Sequence, residues 1–377
     1  MACGYSQLPP ILCAKAPPAE YTPPMPDPFA AFHLAGTPLP LPQVEALLLQ
    51  HYGIAGRAKA LDGERDQNSH ILADNGAEYV LKIHPPAEEP GFVEFQNQAL
   101  RQIEAKAPDL PVPRVVPTLA GADQHPIDTG AGTQVLRLLT WVSGPPLYSH
   151  LPPPEPPADP GIGLNLGTAV GSALGRLDRA LQGYRHPADT TPMLWNVHQL
   201  PQLRPILACI PPAFRSLADE TMARFEQELL PLLPTLPHQV IHNDANPGNV
   251  LWAGADIEGI IDFGDMAYAP RIQELTVAGS YVDRPEWPVL LPLRAMIAAY
   301  LKNHPLERRE VELLPHFLRG RQLVSLAVSA WVAETKPSER EEYLAYLPRT
   351  HTKLQRFWTL EESGTAQAFL DTWEQSQ

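Results

Sequence analysis

The chain has 377 residues, 44% of them apolar, so a substantial core is available and two lobes are expected. Its 28 basic and 42 acidic side chains leave a formal charge of −14. That balance argues against a nucleic-acid binder, which needs a basic face to displace phosphate counterions, and it suits either solubility or a cationic small molecule.

Three cysteines, Cys3, Cys13 and Cys209, show no C-x-x-C spacing, so a disulfide framework is not expected. No apolar run is long enough to cross a bilayer, and the N-terminus does not read as a signal peptide. The expected setting is the cytoplasm, with no membrane partner.

In chain order, residues 1–28 are proline-rich and aperiodic, and read as a disordered tail. PLPQVEALLLQHYG predicts an amphipathic helix with Val44, Leu47 and Leu48 on one side and Gly53 as its stop. Strands are expected at 57–61, 70–74, 78–84 and 133–141, with a helix over FVEFQNQALRQIEA whose apolar positions are Phe92, Phe95, Leu100 and Ile103. Residues 29–142 thus form a small α+β lobe.

The proline-dense stretch LPPPEPPADPG (151–161) reads as a surface connection. Residues 143–377 are then mostly helical, with helices expected at 163–183, about 212–233, 270–282, 287–302, 307–334, 338–358 and 364–374. One strand–loop–strand passage, 239–262, interrupts them.

That passage reads QVIHNDANPGNVLWAGADIEGIIDFGDM, in which Val250–Trp252 and Ile257–Ile261 predict a short hairpin. One end of the hairpin carries His242-x-Asp244 with Asn249 five residues after the aspartate. The other carries Asp262-Phe263-Gly264, eighteen residues after Asp244. Phosphoryl transfer needs such parts: alignment, and neutralisation of charge spread over phosphate oxygens. Asp244 suits the carboxylate that orients the incoming hydroxyl, while Asn249 and Asp262 offer oxygen ligands to magnesium, a hard cation. Gly264 permits a tight turn behind the ligand, and His242 would brace the loop. A lone aspartate before a turn is ordinary, but the joint pattern arises by chance in well under about one chain in a thousand.

These motifs resemble the catalytic and metal-binding loops of the aminoglycoside phosphotransferase and choline kinase group, relatives of protein kinases. Within it the chain resembles hydroxylysine kinase and its bacterial relatives, through ERDQN (64–68), VLKIH (80–84), VEFQNQAL (93–100), VLRLLTWVSGPPL (135–147), LWNVHQLPQL (194–203) and IIDFGDMAYAPRIQEL (260–275). The resemblance implies an α+β, bilobal protein-kinase-like fold, with antiparallel strands plus a helix in the small N-terminal lobe and a large, mainly helical C-terminal lobe. It also implies Mg2+ with ATP or GTP as phosphoryl donor.

By the same resemblance Lys82 meets the α- and β-phosphates and Glu94 holds that lysine, with Glu88, Glu89 and Glu104 as rival partners. A lysine between Val80, Leu81 and Ile83 lies on a half-buried strand, where an unpaired ammonium is costly. The turn GERDQN occupies the place of the nucleotide-covering turn, which brings in Gly63, Gln67 and Asn68. Thr140, Trp141 and Val142 fall where relatives join the lobes and face the base. Relatives have glycine where this chain has Asn243, a residue that tolerates unusual backbone angles. No A-P-E segment is present, which argues against a protein substrate.

Asp265, Glu274 and Asp283 are candidate carboxylates for an acceptor amine, and Trp195 a candidate wall of the acceptor pocket. Glu274 has an alternative reading as the i, i+3 partner of Arg271. The resulting expectation is a kinase for an amino alcohol or hydroxy amino acid, 5-hydroxylysine being the leading example by resemblance. The alternatives are a kinase for another small hydroxyl compound such as choline, homoserine or an aminoglycoside, a non-catalytic nucleotide-binding module, and a zinc hydrolase built on His238, His242 and Asp244.

Overall fold

The computed structural model describes residues 38–377 except 64, 87, 131, 150–158, 283–286, 288–289 and 363. The tail at 1–28, most of the proline-dense connection and Asp283 therefore lie outside the described residues.

The first helix, α1 (Leu41–Tyr52), buries Val44, Leu48 and Tyr52 and leaves Leu47 half-buried. It stops at Gly53, whose φ of 67° lies where a Cβ is penalised. An antiparallel sheet follows, from β1 (Gly56–Leu61), β2 (Gln67–Ala73), β3 (Glu78–Ile83), β4 (Val115–Val116), β5 (His125–Asp128) and β6 (Thr133–Thr140). Its order is β1-β2-β3-β6-β4, with β5 also on β6. The short β4 and β5 were not anticipated; two and four residues carry too little alternation to register as strands.

Helix α2 (Pro90–Lys106) lies between β3 and β4 in the chain. Its Phe92, Phe95, Leu100 and Ile103 join the core of the helical lobe, whereas Leu48, Ile71, Leu81 and Leu136 form a separate core beneath α1. The apolar face of α2 is therefore committed to the larger lobe.

The helical lobe comprises α3 (Pro160–Leu181), α4 (Pro212–Arg224), α5 (Ile272–Val282), α6 (Leu291–Leu301), α7 (Arg308–Thr335), α8 (Arg340–Glu362) and α9 (Thr365–Gln375). The helix expected to run to 233 breaks at Arg224 into a wide turn, Phe225–Leu229, and a 3-10 segment, Leu230–Thr235, containing Pro231 and Pro234. A further 3-10 run, Val197–Cys209, holds Pro201 and Pro205. Helices α3 and α6 touch backbone to backbone. A Cβ on Gly167 or Gly171 would stand 2.1 Å from the carbonyl oxygen of Pro292 or Met296.

The passage at 239–262 contains β7 (His238–Ile241), β8 (Val250–Trp252) and β9 (Ile257–Ile260), followed by β10 (Ala267–Pro270). Strands β8 and β9 make the expected hairpin. Strand β10 was not expected, and it displaces the start of the next helix to Ile272. Its pairing with β7 sets Ile241 opposite Ala267.

Candidate active site

The β7–β10 pairing places the loop after Ile241 beside the loop before Ala267, and the Ile261 N–H donates to Asn249 O at 2.9 Å. His242 is buried between them. Its Nδ1 accepts the Asp244 N–H at 3.2 Å, which assigns the ring proton to Nε2, 3.1 Å from Ile261 O. Burial pushes this imidazole down to about 4, so the ring is neutral at physiological pH.

Asn243 has φ 66°, the left-handed geometry that a glycine would take without strain. Its side chain donates to Asp265 O at 3.0 Å and accepts from Gln273 Nε2 at 2.6 Å. The asparagine thus ties the loop to the D-F-G side as well as permitting its turn.

Asp244 projects from this frame with its two oxygens in different company. Oδ2 accepts from Asn246 Nδ2 at 2.9 Å and from Asn249 Nδ2 at 2.7 Å. Oδ1 faces Arg321 Nη2 at 3.6 Å. Burial first, then the charge of Asp265, hold the Asp244 carboxyl well above the usual range, while Arg321 pulls it down.

Asp262 opens the turn Phe263–Asp265 with φ 60°. Its Oδ1 accepts from Lys82 Nζ and from the Gly264 N–H, both at 3.3 Å. The Lys82 charge, outweighing burial, keeps the Asp262 carboxyl below the usual range. Lys82 also meets Asp66 Oδ2 at 3.1 Å. Burial opposes its ammonium, but Asp262 and Asp66 together raise its pKa.

The expected Lys82–Glu94 pair is not made. Glu94 is exposed and binds Gln98 at 2.8 Å, because the buried face of α2 uses Phe92, Val93, Phe95 and Gln96. Of the rivals, Glu88 faces Arg65 at 3.8 Å and Glu104 faces Arg101 at 3.2 Å. The partner is Asp66, one residue before β2. The β2–β3 register, with Asn68 opposite Lys82, is the signal that could have found it.

The β1–β2 turn is built from the expected residues in other roles. A Cβ on Gly63 would lie 2.5 Å from Asp66 O, so glycine is required there. Asn68 Nδ2 reaches Asp62 O at 3.4 Å. Gln67 turns away, bonded both ways to the Leu39 backbone at 2.7 and 2.8 Å. At the lobe junction, the N–H groups of Thr140 and Trp141 are given to Arg114 O and Glu78 O, and the Trp141 ring rests on His70. Val142 packs by its side chain towards Gly259, where a Cβ would lie 2.6 Å away.

The acceptor candidates are redistributed. Glu274 is wholly buried and accepts the N–H groups of His242 at 2.6 Å and Asn243 at 3.2 Å. It holds the backbone of the loop after β7. Nor does it pair with Arg271, which binds Glu310 at 2.6 Å. Asp265 is paired with Arg65 Nη2 at 3.0 Å, and that guanidinium also meets Gly264 O at 3.2 Å. Trp195 gives its carbonyl to Arg321 Nη1 at 3.0 Å, with the guanidinium 5.3 Å over its ring. Sequence reasoning named the stretch ERDQN but gave Arg65 and Asp66 no role in it, and it missed Arg321, which reaches the site from α7.

The oxygen donors fit a divalent cation. Asn249 spends its Nδ2 on the Asp244 carboxylate and carbonyl, at 2.7 and 3.0 Å, and so presents Oδ1 elsewhere. Asp262 takes both of its hydrogen bonds on Oδ1, and its side chain is 49% exposed, so Oδ2 is accessible. Zinc chemistry at His238, His242 and Asp244 is not supported, since both His242 nitrogens are engaged within the protein. Among the described residues the group of three ligand-type side chains close enough to share an ion is Asp66, His84 and Glu88, in which Asp66 already meets Lys82 and His84, and Glu88 faces Arg65.

Residues 57–314 match the model of the phosphotransferase enzyme family, and the chain belongs to that family. It is a small-molecule phosphotransferase, a kinase that uses a hydroxyl as acceptor. The chain is similar to hydroxylysine kinase of Danio rerio, 25% identical over 337 residues that cover 84% of this chain and 91% of that protein. Hydroxylysine kinase of Mus musculus is 23% identical over 359 residues, 88% and 92% of the two chains. A structure of amicoumacin kinase in complex with AMP-PNP and Ca2+ has a TM-score of 0.64 at 17% identity, covering 84% of this chain and 93% of that one. A microcompartment-associated aminopropanol kinase has a TM-score of 0.58 at 18% identity, covering 84% and 97%. At such identities these structures show the shared bilobal fold. No helix among the described residues is long and apolar enough to cross a membrane.

Proposed function

We propose that the protein transfers the γ-phosphoryl group of ATP or GTP, held with Mg2+, to a hydroxyl of an amino alcohol or hydroxy amino acid of the 5-hydroxylysine kind. One observation carries the reading. Lys82 of the small lobe meets Asp262 at 3.3 Å, and the β7–β10 pairing sets Asp262 beside the loop of Asp244 and Asn249.

In this reading Lys82 binds donor phosphates and is kept charged by Asp66 and Asp262. The Gly63–Asn68 turn covers the nucleotide. With the Thr140 and Trp141 amides used internally, the Val142 segment is left to meet the base. Asn249 Oδ1 and Asp262 Oδ2 hold the cation, which neutralises charge on the phosphate oxygens when bound. Asp244 Oδ1, the oxygen without an amide partner, receives or orients the proton of the acceptor hydroxyl. Asp265, whose charge acts on Asp244, is the carboxylate offered to an acceptor amine, with Arg65 as its partner in the protein. The acceptor class follows the hydroxylysine kinases, whose similarity spans most of both chains. The natural setting of such a metabolic reaction is the cytoplasm.

The test is phosphorylation of a panel of amino alcohols and hydroxy amino acids, 5-hydroxylysine included, with MgATP and MgGTP. Turnover of at least one acceptor is expected. Nucleotide binding without transfer to any member would overturn the reading.

A further inference from the structure

We propose that Arg321 is a positioning residue for phosphoryl transfer, tying the Asp244 carboxylate to the backbone at Trp195. The inference rests on the assignment of Asp244 above and adds a residue that no motif contains.

Arg321 stands on α7, in the middle of the large lobe, with its side chain only 2% exposed. A guanidinium so deeply placed is costly unless its donors are met. Nη1 is met by the Trp195 carbonyl at 3.0 Å, and Nη2 faces Asp244 Oδ1 at 3.6 Å. Nε is buried with no hydrogen-bond partner among the described residues. The arginine is therefore fastened at one end to the segment before the 3-10 run Val197–Cys209, and its other end is turned to the catalytic carboxylate.

The two oxygens of Asp244 then have complementary restraints. Asn246 and Asn249 hold Oδ2 from within the loop. Arg321 opposes Oδ1 from a helix outside the loop, at a separation that attracts without occupying the oxygen in a hydrogen bond. Rotation of the carboxylate about its stem would break the two amide contacts and carry charge away from the guanidinium. Oδ1 thus keeps one orientation, free of the amides that hold Oδ2. The planar fork matters because one group must reach two targets, a carbonyl and a carboxylate, which a lysine ammonium does less well.

The experiment compares Arg321→Met and Arg321→Lys with the unaltered protein, using an acceptor that the unaltered protein turns over. Activity of the unaltered protein tests the kinase reading; the variants test Arg321. For Arg321→Met, kcat should fall about 10- to 100-fold, while the KM for nucleotide stays within about threefold. Arg321→Lys should recover part of the loss. A purely structural role would lower melting temperature and nucleotide affinity together with kcat, and that pattern counts against the proposal. A folded Arg321→Met protein with kcat within about threefold of the original overturns it. Should the methionine variant not fold, Arg321→Lys decides: an intermediate kcat at unchanged nucleotide KM supports positioning, and full activity refutes it.

Discussion

Lys82 and Asp262 lie 180 positions apart in the chain and meet at 3.3 Å, joining the small lobe to the loop that precedes β10. Asp66 completes the arrangement at 3.1 Å, so one ammonium is held by carboxylates from both lobes. Glu94, the expected partner, points to solvent. Asp66→Asn should accordingly weaken nucleotide use, raising KM about tenfold or more, whereas Glu94→Gln should change it less than about twofold. Steady-state kinetics of the two variants side by side decide which carboxylate serves the lysine.

Asp244→Asn should lower kcat by at least about 100-fold and leave nucleotide binding intact, because a neutral amide cannot take the acceptor proton. The pH profile gives a second check. Asp244 must be ionised to act, and burial together with Asp265 holds its carboxyl above the usual range. The acid limb of kcat/KM should therefore lie above the ordinary carboxylate range. Asp265→Asn, which removes the neighbouring negative charge, should move that limb towards lower pH. An unmoved limb would assign it to another group.

Glu274 accepts two backbone N–H groups of the catalytic loop, so Glu274→Ala should cost about 2–4 kcal/mol of stability and reduce kcat together. Its pH signature has a definite sign. Burial raises the folded-state pKa to about 7, above the usual carboxylate range. The folded protein then binds the proton more tightly than the unfolded chain does. Stability from this group is complete below the unfolded value and is lost as pH rises through about 7. The melting temperature of the natural protein relative to Glu274→Gln should thus improve on acidification from pH 8 to pH 5; a constant difference would contradict the burial argument.

The contact between α3 and α6 predicts a strong size limit. Gly171→Ala places a Cβ on the Met296 carbonyl and should cost about 3 kcal/mol, read as a fall in melting temperature. Gly91→Ala, in the first turn of α2 where a Cβ meets nothing within 4 Å, is the control and should be nearly neutral.

Much of the fold was readable because its signals are local. The stop of α1 at Gly53, the β8–β9 hairpin and the long helices follow from turn chemistry and apolar period. Strand β10 was missed because AYAP is four residues long and contains a proline, and its pairing with β7 is a long-range event. Past the wide turn Phe225–Leu229, the prolines of LPLLPT keep the α-helix from resuming, a signal present in the sequence.

The sequence by itself determined the motif: Asp244, Asn249 and Asp262 at fixed spacing on short loops, with Asn243 free to take a left-handed turn. Those features depend on neighbours a few residues away. Only the tertiary structure decided which charges meet. The β2–β3 register gave Lys82 to Asp66, docking of the two lobes gave it to Asp262, burial turned Glu274 to the backbone of the loop after β7, and the packing of α7 brought Arg321 to Asp244. Ion pairs of this kind depend on strand register and helix placement, because a charge buried without a partner costs more than any local preference returns.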